Sequence, residues 1–105
     1  MERGRKMTEN SYKTPCGCIH YFVNIIDKQK ITLVFLPGLT ADHRLFEKQI
    51  EYFEKKQNVF VWDAPSHALS RPFTNNYSLS DMAEWLDEIL AKEEIYNPII
   101  IGQSM

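Results

Sequence analysis

The chain has 105 residues, of which 44% are hydrophobic, 12% aromatic and 25% charged, and its formal net charge is −2. This is the composition of one folded globular domain at most. It excludes a disordered chain and gives no electrostatic case for nucleic acid as a partner. No run of about 18 apolar residues occurs, so no segment reads as a membrane span and no membrane partner is expected.

Residues 1–14 are polar and carry Arg3, Arg5 and Lys6 without the apolar stretch that a secretory signal requires. They read as a flexible N-terminal tail, with the domain occupying residues 15–105. Cys16 and Cys18 are the only cysteines. Cys-Gly-Cys offers two soft ligands where a zinc site usually takes four, so no metal is expected. Two unpaired thiols suit a reducing compartment, and a cytoplasmic location is expected.

Ile19–Ile26 is rich in β-branched and aromatic residues and is broken by the polar turn 27–30. A second run, Ile31–Leu36, follows at once, which is the pattern of a hairpin with His20 as an ordinary strand residue. Pro37–Asp42 is a loop, and Asp42 can cap a helix in which Leu45, Phe46, Ile50 and Phe53 recur at helical spacing through about Lys56. Asn58 opens another apolar strand, Val59–Trp62, closed by Asp63. Strands alternating with a helix predict a parallel sheet with right-handed crossovers, which puts loops 37–42 and 63–70 on one edge.

A second helix starts at Ser78, which with Asp81 fits a capping box. Leu79, Met82, Ala83, Leu86, Ile89 and Leu90 form its apolar stripe. Pro98 then leads into Ile99, Ile100 and Ile101, a short strand predicted to be buried on both faces. Gly102, Gln103 and Ser104 follow without a spacer. Gly-x-Ser at that point fits two readings: an ordinary turn, or a sharp strand-to-turn elbow that lifts the Ser104 hydroxyl clear of the sheet. No internal repeat or low-complexity segment is present.

Taken together, Leu36-Pro37-Gly38-Leu39-Thr40 after one strand, the segment from Trp62 through Ser70 after the next, Tyr77-Ser78 opening a helix, and Ile101-Gly102-Gln103-Ser104-Met105 last resemble the N-terminal half of an α/β-hydrolase fold protein of the serine hydrolase type. The resemblance covers roughly residues 17 to 105. It implies an α/β fold, with a mostly parallel sheet, an antiparallel N-terminal hairpin and flanking helices. It also implies an enzyme in which Ser104 attacks the carbonyl carbon of an ester, thioester or amide in a small acyl substrate, with no cofactor. The backbone N–H groups of Leu39 and Met105 would form the oxyanion hole, with Gly38 and Gly102 as the loop and elbow glycines. Two departures stand out. Pro37-Gly38 replaces the His-Gly of many members, and Ser66 and Ala68 stand where many carry glycines in Asp-x-x-Gly-x-Gly-x-Ser.

Serine needs a base, and in this family the acid and the histidine follow the serine. Only Met105 follows Ser104. His20, His43 and His67 all come earlier, and His67 reads as a loop histidine bonded to nearby backbone. Asp42 and Asp63 read as a helix cap and a loop anchor. The expectation is therefore an N-terminal fragment of a serine hydrolase, inactive by itself. The alternative is a non-catalytic, hydrolase-like protein that acts by pairing a sheet edge with a partner.

Overall fold

The computed structural model describes residues 7–38, 42–65, 68–74 and 76–102. Five strands, β1 (Thr8–Thr14), β2 (Gly17–Asn24), β3 (Thr32–Leu36), β4 (Asn58–Trp62) and β5 (Pro98–Gly102), form one sheet in the order β1-β2-β4-β3-β5. β3 runs parallel to β4 and β5, whereas β2 runs antiparallel to β1 and β4. Helix α1 (Glu47–Phe53), entered through a 3-10 turn at His43–Phe46, packs on one face, and α2 (Leu79–Lys92) packs on the other. This is the expected α/β architecture, with a mixed sheet.

Alternation along the inner strands divides the core in two. Leu33 and Phe35 of β3 and Val59 and Val61 of β4 meet Ile50 of α1. Val34, Phe60 and Trp62 point the other way, where they join Ile19, Tyr21 and Val23 of β2 and Ile89 and Leu90 of α2. β4 is buried at every residue because helices cover both its faces. Burying each large side chain contributes about 1.5–3 kcal/mol, and among the described residues β3 and β4 supply seven of the fourteen buried hydrophobic side chains, so these two strands carry about half of the hydrophobic stabilisation. Tyr21 stacks on Phe60 with ring centroids 5.3 Å apart. Its hydroxyl donates to Glu93 at 2.5 Å. Burial, reinforced by that carboxylate, pushes the Tyr21 phenol well above its usual range.

Three expectations are corrected. The first concerns residues 8–14, which form β1 rather than a tail. This strand is polar and holds to α2 by hydrogen bonds: the Tyr12 hydroxyl donates to Glu88, and Asn10 Nδ2 donates to Glu93 at 3.2 Å. Second, the antiparallel hairpin is β1–β2, closed at the Thr14–Gly17 pair, and not β2–β3. The turn at 27–30 exists, with Lys30 N–H donating to Asp27 at 3.0 Å, but β4 lies between the two strands. Asn58, 1% exposed at the start of β4, holds that turn across the sheet. Its side chain accepts from the N–H groups of Ile26 (2.7 Å) and Asp27 (3.1 Å) and donates to the carbonyls of Asp27 (2.8 Å) and Lys30 (3.2 Å).

The third correction is β5. Predicted to be buried on both faces, it pairs with β3 as the edge strand, and Ile99 and Ile100 are 46% and 50% exposed. An apolar edge without lysine is a template for pairing with another chain. The 105-residue chain by itself is expected to associate in a concentration-dependent way, and Ile100→Lys to shift it toward monomer. Sedimentation across a concentration series decides this, and a native monomer throughout would refute it.

Helix α2 starts as predicted, with Ser78 accepting from Asp81 N–H (3.1 Å) and Asp81 accepting from Ser78 N–H (2.9 Å). Its buried stripe is shifted. Leu79 is 81% exposed and Ala83 is exposed, while Trp85 joins Met82, Leu86, Ile89 and Leu90 against the core. The helix ends in a Schellman motif: Ile95 N–H donates to Leu90 and Glu94 N–H to Ala91, with Glu94 in the left-handed region at φ 61°. Glycine tolerates that conformation at no steric cost. Glu94→Gly should raise stability by about 1 kcal/mol, because the exposed Lys28–Glu94 contact it removes is worth little. A urea midpoint that fails to rise would show that the lost contact outweighs the relieved strain.

Candidate functional site

The parallel strands β3, β4 and β5 end on the same edge of the sheet. Register places Leu36 beside Gly102, and Phe35 beside both Val61 and Ile101. The three strands therefore end together, at the kind of edge where open α/β sheets bind ligands.

The best-defined group at this edge is Asp63, the residue after β4, which is fully buried. One carboxylate oxygen accepts from the backbone N–H of His43 at 2.7 Å and from His43 Nδ1 at 2.9 Å. The other lies 3.0 Å from the same ring nitrogen and accepts from Leu69 N–H at 3.2 Å. A carboxylate can only accept, so Nδ1 is the protonated nitrogen of this imidazole. Asp63 thus ties the segment entering α1 to the segment leaving β4, which makes it the loop anchor expected of it. His43, stacked on Phe22 at 4.3 Å between ring centroids, also borders a cleft of about 310 Å³ floored by Phe22, Ile50 and Val61.

Asp42 is the expected cap. Its side chain accepts from Arg44 N–H at 2.9 Å and from the Arg44 guanidinium at 2.6 Å. That guanidinium holds the Asp42 carboxyl down at about 2. Its share of the stability is present above the ordinary carboxylate range and is lost only as pH falls through about 2.

Ser70 is fully buried, and its hydroxyl donates to the Asp63 carbonyl at 2.6 Å while accepting from His20 N–H at 2.8 Å. The main chain of His20 also accepts from Asp63 N–H at 2.9 Å, and its ring lies 3.4 Å from Glu9 on the strand surface. His20 is the strand residue predicted. Gly38 lies two residues beyond the end of β3, and Gly102 is the last residue of β5. At Gly102 a Cβ would meet nothing within 4 Å, and its φ is not in the left-handed range, so close packing among the described residues does not account for that glycine. Leu39, Ser104 and Met105, together with Ser66 and His67, lie outside the described residues.

The His43–Asp63 pair is the feature that sequence reading did not find. Its signal was available. An aspartate ending a wholly apolar strand and a histidine opening the helix after the neighbouring parallel strand must meet at one sheet edge.

Residues 31–105 match the family described as the alpha/beta hydrolase fold, and the chain belongs to that family. Nearly the whole chain superimposes on solved structures of the same fold. The Cif epoxide hydrolase from Acinetobacter nosocomialis matches over 98% of this chain and 32% of its own, at TM-score 0.81 and 16% identity. The haloalkane dehalogenase DbeA from Bradyrhizobium elkani matches over 93% and 33%, at 0.77 and 13%. The thioesterase domain of the curacin biosynthetic pathway matches over 96% and 38%, at 0.76 and 14%. The chain thus spans about a third of the length of these structures. No curated protein sequence matches it.

Proposed function

We propose that this chain carries the nucleophile and the oxyanion donors of a serine hydrolase that cleaves an ester, thioester or amide of a small acyl substrate through an acyl-enzyme on Ser104. The observation that carries the reading is the β3–β5 register: Leu36 lies beside Gly102, so the strands that lead into the Pro37-Gly38-Leu39 segment and into the Gln103-Ser104 segment end side by side. A nucleophile elbow needs that adjacency, because the oxyanion must be reached by one N–H from each segment. Leu39 and Met105 are assigned those donors.

Among the described residues at this edge, Ser70 competes poorly. The Ser70 hydroxyl is buried and committed to two partners, which leaves it no route to a substrate. The relatives include an epoxide hydrolase, a dehalogenase and a thioesterase, so the reaction must be argued from the site and not from the fold. A serine at position 104 favours acyl transfer, the reaction class of the thioesterase. Among the described residues no helix is long and apolar enough to cross a membrane. The two free thiols support a cytoplasmic location.

The test is labelling of the full-length hydrolase with a fluorophosphonate, followed by peptide mapping. The adduct is expected on the peptide that contains Ser104. An adduct elsewhere, or an active enzyme that resists the probe, rejects the assignment.

A further inference from the structure

We infer that His43 and Asp63 are a positioning pair for the oxyanion loop, acting on catalysis without touching substrate; this rests on the assignment of Leu39 as an oxyanion donor. The loop that leaves β3 has two fixed ends. Its first end is set by β3 itself, where Pro37 is buried directly after the strand. Its second end is His43, whose backbone N–H and ring Nδ1 both donate to one fully buried carboxylate at 2.7 and 2.9 Å. Only Leu39, Thr40, Ala41 and Asp42 separate Gly38 from that anchor.

Asp63 is itself immobilised. Its backbone N–H donates to His20, its carbonyl accepts from the buried Ser70 hydroxyl, and its second oxygen accepts from Leu69 N–H. The anchor is therefore referenced to β2 and β4, in the rigid centre of the sheet, rather than to the surface. A hydrogen bond to a charged acceptor in a buried site is short, strong and directional, so it fixes the spacing of the short loop it closes. An oxyanion donor acts only where charge develops, and small misplacements lower turnover without changing how the ground state binds.

The pair makes a prediction that an ordinary packing role would not. In the full-length enzyme, His43→Leu keeps apolar bulk against Phe22 but removes the ring donor. It should lower kcat for p-nitrophenyl acetate by tenfold or more, with KM within about twofold. His43→Asn places an amide N–H near the position of Nδ1 and should return kcat to within about threefold of native. Rates are expressed per site titrated with fluorophosphonate, so a partly folded variant is still read per folded molecule. His43→Leu with native kcat, a loss carried by KM, or His43→Asn as impaired as His43→Leu overturns the pairing role. Ser104→Ala, with its rate expressed per mole of protein, separates the two ideas: full activity there removes the site assignment itself, whereas an inactive Ser104→Ala alongside an unaffected His43→Leu removes only the positioning pair.

Discussion

Ser104→Ala in the full-length enzyme is expected to abolish ester hydrolysis while leaving the fold intact. Removing the nucleophile of a serine hydrolase lowers kcat by about 10⁶, and what remains comes from the oxyanion hole and substrate binding. Ser70→Ala is the internal comparison. It should retain the nucleophile and lose stability instead, because the Ser70 hydroxyl bridges the Asp63 carbonyl and the His20 N–H inside the core. The 105-residue chain alone is expected to be inactive, since it spans only about a third of the length of the related structures. Turnover of a p-nitrophenyl ester gives the readout for all three proteins. Hydrolysis by Ser104→Ala at the native rate, or by the isolated chain in a Ser104-dependent manner, would contradict this account.

What could be read from the sequence followed from burial. β4 was legible because Val59, Phe60, Val61 and Trp62 are apolar without interruption, and they prove to be covered on both faces. The start of α2 was legible because Ser78 and Asp81 satisfy each other locally. β1 was not, because it is held by its backbone ladder to β2 and by Tyr12 and Asn10 bonding carboxylates 76 and 83 positions away, which leaves no apolar run to detect. The β2–β3 pairing failed for a related reason. The turn at 27–30 has hairpin chemistry, but Asn58, 31 residues further on, captures it for β4. The α2 stripe held at Met82, Leu86, Ile89 and Leu90 but missed Trp85, which packs on Phe73 and Tyr77, a contact between rings that periodicity counts do not weigh.

At the site, local signals identified single residues and missed their connections. Asp42 was correctly a cap and Asp63 correctly an anchor, yet what Asp63 anchors depends on the parallel adjacency of β3 and β4. The β3–β5 pairing in turn brings Leu36 and Gly102 into register. Topology therefore converts isolated motifs into one edge, and the buried aspartate is where the edge is held together.

Asp63→Ala should accordingly be among the most destabilising single changes available to this chain. The carboxylate is fully buried and takes three donors: two backbone N–H groups, from His43 and Leu69, and the His43 ring. The ring borders the cleft and can turn toward water, but the two backbone donors are held by the segments they belong to. Leaving a buried donor unpaired costs about 1–3 kcal/mol, and hydrogen bonds to charged groups contribute about 1.5–3 kcal/mol, so a loss of roughly 3–5 kcal/mol is expected. Against a total of about 5–15 kcal/mol for a domain, that approaches unfolding. Asp63→Asn keeps the shape and one accepting oxygen, and it should lose roughly half as much. Urea denaturation of the full-length enzyme, with His43→Ala and the double variant completing a cycle, measures the coupling directly. Independent losses that simply add, or an Asp63→Ala midpoint close to native, would show that the two edge loops hold their places without this carboxylate.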